Sequence, residues 1–257
     1  MHILMHSAFR SFREQFPGIT IEELIDAIQQ IITPEGSLIM PAFTYCFKKS
    51  SGNYEIFDRI KKPSKVGAVS EVFRKQPEVL RTASPTHSFA LWGVVKEKIT
   101  ETNAPESPLG KGSMPDWLTH KPHSYVVLLG TDFSSLSYGH YLEIMAPIPW
   151  ADVSPWSHLG VEKIGVSTSG EQSLIEIPGC SKSFRSFEKY LLERGFIKPM
   201  MRGTLRSFLI PVSLLYREGL MYYRSFPEQL LCHPGTCRAC DERWEYYLNI
   251  IKNKTME

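Results

Sequence analysis

The spacing of apolar positions changes period several times along the chain, and each change marks an element. Residues 1–7 alternate weakly and predict a strand that starts almost at the first residue. From Thr20 the period becomes helical, with Ile21, Leu24, Ile25, Ile28, Ile31 and Ile32 on one face. Thr20 and Glu23 form the capping-box signature that starts such a helix, and Pro34 and Gly36 end it. Residues 38–43 are a second apolar run. Strand, helix and strand at this spacing make a βαβ unit, so the two strands are expected to be parallel.

Residues 48–63 are polar and irregular and read as a surface loop. A short helix is expected over 66–75, with Val66, Val69, Val72 and Phe73 inward. Residues 84–93 read as loop and then strand, 102–113 as a long ordered loop rich in Pro, Gly and Ser, and 114–119 as a turn of helix. The run Val126 to Leu129, closed by Gly130, predicts a buried strand. Beyond Glu143 periodicity fades until 163–167 and 174–177, which predict a hairpin around a Ser-Gly turn. A helix over 183–194 with Phe184, Phe187, Tyr190 and Leu191 inward, a strand over 204–210 and a short helix over 212–218 complete the pattern. No repeat or linker interrupts it. The reading is one domain over 1–257, ending in a Cys-bearing tail over 230–257.

A chain of 257 residues is long enough for one large α/β domain. The net charge of +2 gives no sign of the strongly basic patch that nucleic-acid binding needs. No apolar run approaches bilayer-spanning length, and MHILMHSAFR lacks the apolar core of a signal peptide. The expected setting is the cytoplasm, with neither membrane nor nucleic acid as a partner. The five cysteines are Cys46, Cys180, Cys232, Cys237 and Cys240. An odd number with three in one short stretch is unlike a secreted disulfide framework.

Four stretches carry candidate chemistry. His140 and Glu143 follow the Gly130 strand; on a helix, positions i and i+3 share a face, which sets an imidazole beside a carboxylate. That is either a general base at the carboxyl edge of a sheet or an ordinary surface ion pair. Residues 84–88, SPTHS, cluster hydroxyls and an imidazole, or simply form a hydrogen-bonded turn. Residues 5–13, MHSAFRSFR, are either a phosphate-holding loop with Arg10 and Arg13 or a plain βα connection. Cys232, His233, Cys237 and Cys240 offer four soft ligands, against which stands a tail that merely packs its thiols or a partial site completed elsewhere. No metal is expected on this reading, with Cys232, Cys237 and Cys240 as weak candidates.

Taken together, HSAFRSF, PEGSLIMPAFTY, the segment from FDRIKKPSKVGAV to SPTHSFALWG, SPLGKGS and VVLLGTDFSSLSYGHYLE resemble, in order, the motifs of the aminoglycoside 3-N-acetyltransferase (antibiotic N-acetyltransferase) family. The resemblance implies a three-layer αβα sandwich with a mostly parallel central sheet and a small antiparallel insertion, not a GNAT fold. It implies acetyl transfer from acetyl-CoA, the acyl donor, to an amine of an amino sugar, and it allows a homodimer. His140 matches the family's catalytic histidine, with Glu143 or Glu188 as its carboxylate partner. Ser7, Phe9, Arg10 and Ser11 match the loop along CoA, and Thr44, Thr86, His87 and Ser88 match the thioester site. An oxyanion donor is expected from a hydroxyl or N–H near Thr86 to Ser88.

The sequence also departs from the family. Its first strand starts near Met1, where the family carries a preceding helix, and Ala8 stands where Ser is usual. These differences motivate a catalytically impaired CoA- or sugar-binding homologue as one alternative. Asp152, Glu162, Glu171 and Glu176 are the only acids between Glu143 and Cys180, a sparse lining for a polycationic drug. That motivates the other alternative, an N-acyltransferase acting on a nucleotide-linked amino sugar in polysaccharide biosynthesis.

Overall fold

A computed structural model of the chain describes residues 1–151 and 153–254. Asp152 and the last three positions of the expected tail, 255–257, lie outside the described residues. The first half runs β1 (His2–Ser7), α1 (Phe9–Gln15), α2 (Ile21–Ile32), β2 (Ser37–Pro41), β3 (Phe47–Lys49), α3 (Ala68–Phe73), β4 (Leu80–Arg81), β5 (Phe89–Gly93), α4 (Val95–Lys98), α5 (Met114–Thr119) and β6 (Ser124–Leu129). The second half runs α6 (Ser137–Met145), β7 (Val161–Ser167), β8 (Gly170–Ser173), α7 (Arg185–Glu193), β9 (Met200–Arg202), β10 (Leu205–Pro211), α8 (Val212–Ser225) and α9 (Arg238–Lys254).

The central sheet has the order β4-β5-β2-β1-β6-β10-β9. Its middle strands β2, β1 and β6 are parallel, as the βαβ spacing requires, and antiparallel strands flank them on both sides. Successive side chains of these strands feed opposite layers, because a strand has a period of two. Leu4, Ile39, Val126 and Leu128 join a core with α5, α6, α7 and α8. Ile3, Met5, Leu38 and Met40 join a second core with α2 and α3. Both faces are covered, which is why these strands read as unbroken apolar runs. The α2 start is set by its capping box: Thr20 Oγ1 accepts from Glu23 N at 3.1 Å, and Glu23 Oε2 accepts from Thr20 N at 2.8 Å.

The second sheet is antiparallel, β3-β7-β8. Here the expected hairpin is corrected. Gly170, at φ +125°, turns the chain at once, so that Ser167 pairs with Gly170 and β8 ends at Ser173. Leu174 and Ile177 instead pack on Phe47 in a small separate core. The expected surface loop over 48–63 also carries more structure than its polarity suggests: it opens on β3 and buries Phe57, which bridges to Ser167. Helix α8 runs on to Ser225 because Tyr222 and Tyr223 continue its buried face. Among the described residues no helix is long and apolar enough to cross a membrane.

Candidate active site

The site is built where β6 leaves the sheet. Gly130 follows Leu129 at φ +68°, a conformation that favours glycine, and turns the chain off the carboxyl edge. Asp132 then accepts from Ser134 N at 2.8 Å and starts a short turn, Phe133–Ser135, that leads into α6. The first seven residues of α6, from Ser137 to Glu143, are all buried. The His140–Glu143 pair is therefore interior, and of the two readings open in the sequence the surface ion pair drops out. Nδ1 of His140 lies 2.6 Å from Oε2 of Glu143, with the two side chains only 10% and 7% exposed.

A third group completes the couple. Arg243 of α9, itself buried, points Nη1 at Oε1 of Glu143 from 3.5 Å. It fits there because Gly179 has no side chain: a Cβ at that position would lie 2.3 Å from the same Nη1. The ring of His140 also meets Phe184 edge-on, with centroids 4.9 Å apart.

Three pockets converge on this histidine. The first, about 280 Å³, lies at the ends of β1 and β2 and is bounded by His6, Ser7, Phe43, Leu136 and Ser137. A second, about 180 Å³, is bounded by Glu143, Ile148, Glu176, Pro178 and Arg243. The third, about 450 Å³, opens toward the small sheet past Tyr45, Phe47, Lys49, Trp156 and Val161. His140 lines all three, and no other described residue does. With Nδ1 engaged by Glu143, Nε2 is the nitrogen left for a substrate.

The other residues singled out in the sequence divide. Ser7 lines the first pocket and His87 the third. Phe9 packs with Phe12 against the α2-side core, and this orientation of α1 puts Arg10 on the outer face. Arg10 is 91% exposed, pairs with Glu14 and lines none of the three pockets. Ser11 lies against the Gly130 turn, close to where a Cβ at that glycine would fall. Thr44 is fully buried and donates its hydroxyl to Pro85 O at 2.6 Å. Ser88 donates to Ala42 O at 2.7 Å and accepts from Arg81 Nε at 3.1 Å. Thr86 Oγ1 is 3.0 Å from His87 Nδ1. The hydroxyls expected to serve the oxyanion are thus committed to internal partners.

Glu188 is placed elsewhere. Its Oε2 accepts from Phe133 N at 2.9 Å and its Oε1 pairs with Arg206 Nη1 at 2.6 Å, so it holds the turn before α6 and Glu143 alone meets His140. Two functional candidates were missed. His6 faces the α6 layer two positions after Leu4, with Nε2 3.3 Å from Ser137 Oγ, and the strand's period of two was signal enough to find it. Arg243 left no local signal. Burial pushes both His6 and His87 down to about 3, and for His87 the nearby His140 adds to the effect, so both rings are neutral. In the tail, His233 turns to its own Pro234 carbonyl at 3.0 Å, and Cys180 takes its place beside Cys232, Cys237 and Cys240.

This is a three-layer αβα protein whose reactive edge lies at the carboxyl ends of its parallel strands. More particularly, the chain belongs to the aminoglycoside 3-N-acetyltransferase family, whose model matches residues 4–223. The SPbeta prophage-derived aminoglycoside N(3')-acetyltransferase-like protein YokD of Bacillus subtilis (strain 168) is 32% identical over 165 residues, which are 57% of this chain and 60% of that protein's length. The crystal structure of aminoglycoside acetyltransferase AAC(3)-IVa superposes with a TM-score of 0.78 at 26% identity, covering 95% of this chain and 90% of that one. A His-to-Ala mutant of that enzyme in complex with a gentamicin superposes equally well at 25% identity, with the same coverage. AAC-IIIb, in a binary complex with CoASH, shares the fold, with a TM-score of 0.69 at 19% identity over 87% of this chain and 90% of that one.

Proposed function

We propose that this chain is an N-acetyltransferase that moves the acetyl group of acetyl-CoA onto an amine of an aminoglycoside-type amino sugar. The observation that carries the reading is the position of His140: buried, bonded through Nδ1 to Glu143, and lining all three pockets. Family membership and the gentamicin- and CoA-bound relatives support it.

The chemistry follows from the groups present. An amino-sugar ammonium cannot attack a thioester until it loses a proton. His140 Nε2 takes that proton, while Glu143 fixes the tautomer and stabilises the imidazolium. The free amine then adds to the thioester carbonyl. The zwitterionic tetrahedral intermediate expels the CoA thiolate, which takes the proton that His140 returns, and the N-protonated amide loses its remaining extra proton to solvent. With the hydroxyls of Thr44 and Ser88 committed, the oxyanion draws on an N–H near Thr86 to Ser88, where the neutral ring of His87 lines the same pocket as His140.

One observation favours a second acceptor. The largest of the three pockets is lined by Lys49 and Lys65, the latter paired with Glu55, and by no carboxylate. Such a wall fits an anionic acceptor, a nucleotide-linked amino sugar, better than a polycation. Thiol release from acetyl-CoA, measured in parallel against aminoglycosides, simple amino sugars and sugar nucleotides, tests both readings. Release is expected with at least one class and is expected to vanish in His140→Ala with the fold intact. Turnover retained in that variant would overturn the assigned base. CoA binding without release from any acceptor would favour an inactive homologue.

A further inference from the structure

We propose that Cys180, Cys232, Cys237 and Cys240 bind one Zn²⁺ ion, and that this ion clamps α9 behind the pocket wall so that Arg243 reaches Glu143. The four Sγ atoms all lie within 4.8 Å of one another, and Cys180 Sγ is 3.8 Å from Cys232 Sγ. A tetrahedral Zn²⁺ with Zn–S bonds of about 2.3 Å sets its sulfurs about 3.8 Å apart. A disulfide would need about 2.05 Å. Four thiolates at tetrahedral spacing select Zn²⁺, or iron in the same geometry, over hard cations.

The ligands come from two parts of the chain that lie 52 or more positions apart. Cys180 follows Pro178 and Gly179, and Pro178, Gly179 and Ser181 line the largest pocket together with His140. Cys237 and Cys240 bracket the start of α9, with Cys232 just before it. Arg243 comes three residues after Cys240, about one helical turn on, and so shares its face. The space it enters is the one left by Gly179, the residue before Cys180. The metal site and the arginine thus share both of their supports.

Metal content of the full-length protein, purified under reducing conditions, is the first measurement, and one Zn²⁺ per chain is expected. After chelation, added Co²⁺ should give the intense visible bands of a tetrahedral thiolate site, and Cys180→Ser or Cys240→Ser should lose them. Should those variants fail to fold, the chelated wild-type chain carries the test: its Tm should fall and recover with Zn²⁺ but not with Mg²⁺. Zinc far below one per chain with no Co²⁺–thiolate bands, or iron in its place, would overturn the site. None of these readings depends on turnover, so they stand apart from the acetyltransferase reading.

The second half of the proposal rests on that reading, and on Arg243 as a positioning residue. Chelation or Arg243→Met should lower kcat about 10–100-fold with KM for acetyl-CoA unchanged, as loss of an outer-shell partner does. Zn²⁺ should restore the chelated protein, and Arg243→Lys should recover part of the loss while metal stays bound. Full kcat in metal-free protein would overturn the clamp even with the Zn²⁺ site established.

Discussion

Nδ1 of His140 and Oε2 of Glu143 stand 2.6 Å apart on successive turns of one buried helix, and the carboxylate leaves the ring only its other nitrogen for chemistry. Glu143→Gln keeps the shape but gives the ring an amide that donates as readily as it accepts, so the tautomer is no longer fixed. We expect kcat to fall by roughly 10²–10⁴, the usual contribution of a positioned general base, with acetyl-CoA binding unchanged by calorimetry. An enzyme with wild-type kcat would remove Glu143 from the mechanism.

Glu188 offers the contrasting case. It bonds to Phe133 N and Arg206 and never meets the histidine. Glu188→Gln is expected to cost about 1–3 kcal/mol of stability, the scale of a hydrogen bond to a charged group, while kcat per folded molecule stays at the wild-type level. Denaturant midpoints and active-site-normalised rates measure the two separately. A specific loss of kcat without loss of stability would reverse the assignments of the two glutamates.

Those two carboxylates show how far the sequence was legible. What lay within one element could be read. The strand runs at 38–43 and 126–129 are strong because both faces of each strand are buried, and the α2 start is a purely local exchange between Thr20 and Glu23. The pairing of His140 with Glu143 is a matter of helical spacing. What needed tertiary contact could not be read: Glu188 lies on α7 and bonds to Phe133 and Arg206 instead of His140, Cys180 meets a Cys232 that stands 52 positions further on, and Arg243 sits in a polar helix with no local mark of function. The hairpin slipped for a related reason. The apolar spacing of Leu174 and Ile177 belongs to their packing on Phe47, not to a strand.

Gly179→Ala isolates the arginine contact. Gly179 is not among the positive-φ residues, so its backbone accepts alanine, and the strain comes from the new methyl group 2.3 Å from Arg243 Nη1 and 2.7 Å from Cζ. The guanidinium is the movable partner and must swing off Glu143. Turnover is expected to fall about tenfold, within the range for outer-shell losses, with bound metal retained. Steady-state kinetics and metal content on the same sample read both. Unchanged kcat would show that Glu143 does not need the arginine.

Thr20→Ala serves as a remote control. The cap it removes belongs to α2, on the opposite face of the sheet from α6. The expected cost is about 1 kcal/mol, seen as a lower urea midpoint, with kcat and KM unaltered. A fall in kcat would mean that the two layers are mechanically coupled.

Acid should destabilise the fold well before most of its carboxylates titrate. Burial lowers His6 and His87 from 6.5 to about 3 in the native state, while the unfolded chain keeps the ordinary value. Between pH 6.5 and 3 the unfolded state therefore binds protons that the folded state refuses, and stability falls as pH falls. Each ring contributes up to about 1.4 kcal/mol per pH unit, and burial of His2 adds in the same direction. Below pH 4.5 the carboxylates join in. Glu71, for example, is held near 2 by hydrogen bonds from Arg74 and Lys75 despite burial that works against them. In the window from pH 6.5 to 4.5 two other groups take up protons in the folded state: the carboxyl of Glu176, which burial raises, opposes the histidines, and the thiol of Cys180, lowered to about 5 by its Cys240 neighbour, adds to them, so the histidine share is read from the variant. Urea unfolding across this window should show a net proton uptake that falls by about one in His6→Asn. Stability that stays flat over that window would mean that both rings are charged inside the fold, and a charged His87 would repel the protonated His140 that the mechanism requires.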